Sequence, residues 1–122
     1  MNALSILTAV SRFIKQFQAR KSDHTSEAIN AVLKALHESE KYFICLEKGS
    51  PRNTEKEHDI SNLWIEAAEP VRRVDREFSD WCRYKARYWL TRDSYTTDDI
   101  KQLNIGLDTM NRRLHQLMDE EN

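Results

Sequence analysis

The sequence predicts an all-α protein, an up-down antiparallel four-helix bundle whose third helix is long and kinked near Pro70. Only two Gly and two Pro occur among the 122 residues, whereas sheet-rich domains need turn residues every few positions. Apolar residues recur at spacings of three and four along most of the chain, which is the period of an amphipathic helix. The breaks between these periodic segments are short, so successive helices are expected to run antiparallel. The length suits one core, and residues 1–122 are predicted to form a single domain.

The first two helices are predicted at about 3–20 and 26–48. The apolar residues of the first cover about half of its circumference, so it is expected to touch two neighbours. The second stops where Gly49 and Pro51 follow, because Gly readily takes the left-handed position after a helix and Pro cannot continue one. Glu40 interrupts the apolar stripe of the second helix. It is most simply a residue at a dimer contact or bundle edge that pairs with a basic group from another helix.

The third helix is predicted at about 55–91. Thr54 and Glu57 have the spacing of a capping box, in which each side chain bonds the other residue's backbone N–H. Pro70 stands in the middle of the segment, where it removes one backbone hydrogen bond. The apolar phase nevertheless continues across it, which favours one kinked helix over two. Lys85 is the one charged residue that interrupts this apolar series.

The fourth helix is predicted at about 97–118. Thr96 and Asp99 offer an N-terminal cap. The apolar residues that follow form a seam of heptad type, which is typical of a helix packed lengthwise against its neighbours.

Several function classes find no support in the sequence. No stretch approaches the roughly 18 apolar residues that a membrane-spanning helix needs, and the N-terminus lacks a signal peptide, so a cytoplasmic protein is expected. Cys45 and Cys82 are too few for a disulfide scaffold and lack metal-ligand spacing. Neither a phosphate-cradling glycine loop nor a nucleophile motif occurs. We therefore expect no catalytic residue, no metal and no cofactor.

Four arginines predicted on the third helix share one narrow arc that faces away from the core. They are Arg72, Arg76, Arg83 and Arg87. Residues 70–92 carry seven Lys or Arg against three acidic residues, although the whole chain has a net charge of −1. Asp75 and Asp80 stand within helical reach of this arc, so the leading interpretation is a solvated face with internal ion pairs. Contact with an acidic protein partner and contact with phosphate are the two alternatives.

Four aromatic residues near the end of the third helix are candidates for a dimer contact. They are Trp81, Tyr84, Tyr88 and Trp89. If the long helix projects from the bundle, burying these rings against a second copy would make a homodimer. They could equally complete the core of the monomer.

Arg52 and His58 form an Arg-polar-x4-His sequence. This spacing resembles the active-site motif of the HEPN ribonucleases, small helical bundles that dimerise to join two such motifs. The resemblance covers seven residues. It implies that Arg52 would hold the scissile phosphate and that His58 would transfer protons at the 2′-hydroxyl.

Three functions are therefore open. The leading hypothesis is a non-enzymatic interaction and oligomerisation module that presents charged helix faces to a protein partner. The second is a nucleic-acid-contacting protein that uses the four arginines. The third is a ribonuclease that uses Arg52 and His58.

Overall fold

The structure, a computed structural model, describes residues 24–121, and the regular secondary structure in this range consists of helices without strands. Helices α1 to α5 are His24–Glu47, Thr54–Arg72, Arg76–Leu90, Thr97–Gln102 and Leu107–Glu121, and a short 3-10 turn spans Arg92–Ser94. The all-α class is confirmed. The helix predicted at about 3–20 lies outside the described residues, so the four-helix bundle stays a prediction.

The bounds of α1 and the start of α2 agree with the sequence, but the N-terminal cap of α2 does not. Gly49 follows α1 with a φ of 99°, the left-handed conformation expected of it. α2 begins at Thr54, but its N-cap is Asn53, whose side chain accepts the N–H of Lys56 at 3.0 Å. The predicted capping box is wrong, because the side chain of Glu57 is buried and bonded elsewhere.

The single kinked helix predicted over 55–91 is also wrong, because the chain forms two helices there. Pro70 lies in the last turn of α2, where it offers no N–H to the carbonyl of Glu66, yet the helix continues for two residues beyond it. The break itself falls at residues 73–75. Asp75 adopts an extended conformation and accepts the N–H of Phe78 at 3.0 Å, which starts α3 as an N-cap.

Helices α2 and α3 fold back on each other as an antiparallel hairpin. The hydroxyl of Ser61 donates to the carbonyl of Ala86 at 2.7 Å, and that of Ser79 donates to the carbonyl of Ala68 at 2.7 Å. Both serines are buried. These two bonds fix the register at both ends of the hairpin.

The helix predicted at about 97–118 is likewise divided, into α4 and α5. Its start is confirmed, since Thr96 and Asp99 form a full capping box. Asn104 then takes a φ of 59°, which interrupts the helix, and α5 begins after Gly106. The ammonium of Lys85 donates to the carbonyl of Ile105 at 2.8 Å, so a side chain from α3 holds this turn in place.

The core lies between α1, the α2–α3 hairpin and α5. Trp64 is completely buried, and its indole N–H donates to the hydroxyl of Ser39 on α1 at 3.0 Å. The other large side chains that are fully buried here are Ile29, Leu33, Leu36, Ile60, Phe78, Trp89, Ile105, Met110 and Leu114. Within residues 24–121, no helix is long and apolar enough to cross a membrane.

Candidate functional site

The reversal of the chain at residues 73–75 divides the four predicted arginines between two helices. Arg72 ends α2, whereas Arg76, Arg83 and Arg87 lie on α3. All four are exposed. The packing of the hairpin brings Arg72 and Arg83 to one groove of about 250 Å³, which Ile65 of α2 also lines. Arg76, Arg83 and Arg87 share one face of α3 by helical phase, and tertiary packing brings Arg72 of α2 to the same groove as Arg83.

Two of the four arginines are paired on their own helices. Arg72 binds Glu69 at 2.9 Å, and Arg83 binds Asp80. Both pairs are about half exposed to solvent. Exposed pairs of this kind contribute little to stability and exchange readily for other partners.

The other two arginines have no ionic partner among residues 24–121. Asp75, an expected neighbour of the arginine arc, instead binds Arg113 of α5 at 2.7 Å. Within the described part of the chain, the guanidinium groups of Arg76 and Arg87 form neither a hydrogen bond nor an ion pair. Asp80, the other expected neighbour of the arc, binds Arg83.

The four predicted aromatic contacts have different positions. Tyr88 and Trp89 are buried within the chain, which is the core alternative that the sequence left open. Trp81 is partly buried, and the guanidinium of Arg113 stacks 5.3 Å from its ring centroid. Tyr84 is 41% exposed and is the member of this set that offers a free ring.

The Arg52 side chain belongs to a saturated network around Glu57. The Nε and Nη2 groups of Arg52 donate to the two oxygens of Glu57 at 3.0 and 2.8 Å. The Tyr42 hydroxyl and Nη1 of Arg92 donate to the same carboxylate. The hydrogen bonds from Arg52 lower the pKa of Glu57 to about 2, against the opposing effect of burial. This arrangement stabilises the junction of α1, α2 and the 3-10 turn.

The ribonuclease hypothesis gains no support from this geometry. The remaining amino group of Arg52 binds Asp93 at 2.7 Å, so its guanidinium is occupied by carboxylates. His58 is exposed on α2. Arg52, which the resemblance assigns to the scissile phosphate, is therefore engaged in ion pairs with Glu57 and Asp93.

A second site, between α1, α3 and the α4–α5 turn, contains two buried charged groups. Glu40 of α1 is completely buried, Lys85 of α3 is 2% exposed, and both line a cavity of about 370 Å³. The ammonium of Lys85 is bonded to the carbonyl of Ile105 and lies 4.5 Å from the ring centroid of Tyr88. Neither carboxylate oxygen of Glu40 has a hydrogen-bond partner in the described structure.

The electrostatics of this cavity oppose full ionisation. Burial raises the pKa of Glu40 to about 7, an effect that Lys85 reduces and Asp108 increases. Burial lowers the pKa of Lys85 to about 7, and Glu40 opposes that change. Buried groups with such shifted pKa values are common at functional sites.

The sequence signalled both members of this pair, because Glu40 and Lys85 were the two charged residues inside apolar stripes. Their proximity depends on how α1 packs against the hairpin, and the spacing of residues along the chain does not predict that packing. Lys85 is a basic group on another helix, as the sequence predicted for Glu40, but the two do not pair: the Lys85 ammonium bonds the carbonyl of Ile105, and the Glu40 carboxylate accepts no hydrogen bond in the described structure. In the described residues, no three His, Cys, Asp or Glu side chains lie close enough to hold a metal ion.

Comparison with known proteins identifies no relative. The chain matches no protein-family model, no curated protein and no solved structure.

Proposed function

We propose that the protein is a non-enzymatic interaction module whose outer hairpin surface binds an acidic protein partner. This surface, termed the arginine face, consists of the four arginines together with the exposed apolar residues beside them. The observation that supports the proposal concerns those apolar residues. Within the described chain, the three exposed large hydrophobic side chains all belong to α2 and α3, and they are Ile65, Tyr84 and Leu90.

The exposed apolar residues of α3 flank its arginines closely. Tyr84 and Leu90 stand three residues before and after Arg87, which is about 60° to either side of it on an α-helix. Ile65 lies across the groove from Arg83. Arg and aromatic residues combined with aliphatic contacts are typical of the centres of protein interfaces.

The charges on this surface indicate the sign of the partner. Arg76 and Arg87 lack ion-pair partners within the described residues, and the pairs at Arg72 and Arg83 are exposed enough to be exchanged. An acidic protein surface would neutralise the positive charges of all four arginines. The alternative is nucleic acid, with Tyr84 stacking on a base, but such interfaces are more polar and rely on phosphate contacts.

The test is a pull-down of the tagged full chain from native lysate, with and without nuclease, comparing charge-reversed variants. Arg76→Glu with Arg87→Glu alters the arginine face. Lys48→Glu with Lys101→Glu produces the same change in net charge at exposed positions elsewhere. We expect a protein that survives nuclease, that is lost with the arginine variant and that is retained with the lysine variant.

Two outcomes would overturn the proposal. Retention of the same partners by the arginine variant would show that the face is only solvated. Capture that disappears on nuclease treatment, with a steep loss of binding in salt, would assign the arginines to nucleic acid instead.

Self-association remains part of the proposal, now with Tyr84 as its anchor. The protein is proposed to act in the cytoplasm, where the free thiols of Cys45 and Cys82 would stay reduced. Light scattering on the purified chain is expected to return a dimer mass that Tyr84→Ser reduces to that of the monomer. A monomer mass for the wild type at micromolar concentration would reject the homodimer.

A further inference from the structure

The cavity between α1, α3 and the α4–α5 turn contains the carboxylate of Glu40, which accepts no hydrogen bond in the described structure. Glu40 is 0% exposed, and both of its carboxylate oxygens lack a donor within the described structure. An ionised carboxylate removed from water carries a large free-energy penalty unless donors replace the lost water. A molecule that brings N–H groups to Glu40 would relieve this penalty and gain binding free energy from it.

Lys85 does not fill that role. Its ammonium is directed at the carbonyl of Ile105, 2.8 Å away, and rests on the face of Tyr88. This bond secures the α4–α5 turn that closes one side of the cavity. The charge of Lys85 attracts Glu40 across the cavity, but the hydrogen bond that its ammonium forms in the described structure goes to the turn.

The walls and rim of the cavity indicate what kind of molecule fits. The apolar wall is formed by Phe43, Leu46, Tyr88, Ile100 and Leu107. The side chains of Glu47 and Asp108, both exposed, stand at the rim. With Glu40 they make three carboxylates against the single ammonium of Lys85, a balance that attracts cations and repels anions.

We propose that this cavity binds a small organic cation, namely a primary amine with an aliphatic or aromatic body. The ammonium group donates to Glu40, and the apolar body packs between Phe43 and Leu107. The volume of about 370 Å³ is at the small end of the range for ligand pockets, about 300–1,000 Å³. The site is separate from the arginine face, so its test does not depend on the function proposed above.

The test uses the full-length protein labelled with ¹⁵N and titrated, slightly above neutral pH, with hexylamine and phenylethylamine. Hexanol and hexanoate serve as the neutral and anionic probes of the same chain length. The two glycines of the chain provide a reporter resonance and a reference resonance. Gly106 lines the cavity and Gly49 does not. We expect saturable movement of the Gly106 amide resonance with the amines while that of Gly49 stays in place.

Substitutions test whether Glu40 is the residue that binds the ammonium group of the ligand. Glu40→Gln is nearly isosteric and removes a buried charge, so it is expected to fold while binding the amines about ten- to a hundredfold more weakly. Glu66→Gln, at an exposed carboxylate outside the cavity, is the matched control and should bind as the wild type does. Leu46→Trp fills the cavity from its wall and should abolish binding with Glu40 still present.

The proposal fails on any of three results. These are the absence of saturable shifts at millimolar amine, equal affinity of the wild type for hexanol and hexylamine, and unchanged amine affinity in Glu40→Gln. A preference for hexanoate would also overturn it, because the anchor would then be Lys85.

Discussion

Asp75 caps α3 and binds Arg113 of α5 with the same carboxylate. One oxygen accepts the N–H of Phe78 at 3.0 Å, and the other accepts the Nε–H of Arg113 at 2.7 Å. The residue that ends the α2–α3 turn therefore also attaches the hairpin to the last helix.

The two roles of Asp75 can be separated by substitution. Asp75→Asn keeps a side-chain oxygen for the cap and loses the ion pair, so we expect a cost of about 0–1 kcal/mol. Asp75→Ala loses both, with an expected cost of about 1–3 kcal/mol. Urea denaturation measures both values. Equal losses in the two variants would mean that the cap contributes nothing.

Glu57 is expected to be the carboxylate on which stability depends most. Glu57→Gln leaves Arg92 without an anionic partner among the described residues and leaves Arg52 with Asp93 alone, which should cost about 2–4 kcal/mol, near the range for breaking a buried pair. Glu55→Gln, at an exposed position on the same helix, is the control and should be nearly neutral.

The same carboxylate predicts a feature of acid unfolding. Because the pKa of Glu57 is lowered from 4.5 to about 2, its contribution is complete above pH 4.5 and is lost as the pH falls toward 2. Glu57→Gln should therefore flatten the decline in unfolding free energy over this interval. A decline as steep as that of the wild type would contradict the assignment.

Glu40 predicts the opposite dependence on pH. The unfolded chain releases this proton near pH 4.5 and the folded chain near 7, so the free energy of unfolding falls as the pH rises between them. The effect is at most about 3 kcal/mol, and smaller where the cavity admits water. Glu40→Gln should abolish the decline, and Glu66→Gln should preserve it. Denaturant titrations across this range provide the measurement.

Lys85, in the same cavity, determines how stability changes at alkaline pH. Its pKa falls from 10.5 to about 7 on folding, so the free energy of unfolding should rise as the pH increases from about 7. Lys85→Met should remove that rise. Together, Glu40 and Lys85 should leave a shallow stability minimum near neutral pH, to which Asp108, Glu47 and Arg92 contribute as neighbouring charges.

Pro70 is expected not to cause the break between α2 and α3. Pro70→Ala restores an N–H for the carbonyl of Glu66, so it should leave stability unchanged or raise it by about 1 kcal/mol. The backbone chemical shifts of residues 73–75 should still leave the helical range at Asp75, which is extended in the structure, because Asp75 and the serine bonds of the hairpin determine the turn. Helical shifts through these residues would show that Pro70 maintains the break.

The sequence was sufficient for the class of structure and for the helix ends that local chemistry determines. The end of α1 before Gly49 and the capping box at Thr96 depend on neighbouring residues alone. The break at residues 73–75 was missed because the spacing of Val71, Val74 and Phe78 is the same in a continuous helix. The chain reverses there through the cap at Asp75 and through bonds to residues distant in sequence.

In the candidate sites, too, the features set by local sequence were predicted, and those set by tertiary packing were not. Exposure of the arginines followed from their position away from the apolar stripe, and the structure agrees with it. The convergence of Arg72 and Arg83 on one groove required the hairpin. Glu40 and Lys85 were visible as interruptions of apolar stripes, but only the packing of α1 against α3 brings them to one cavity.

The two serine bonds of the hairpin also bear on how the chain folds. Ser79 and Ala68 are 11 residues apart, and Ser61 and Ala86 are 25 apart, whereas Arg113 is 38 residues from Asp75. Closing a shorter loop loses less chain entropy, and local contacts form faster. We therefore expect the hairpin to form early in folding and α5 to dock onto it later.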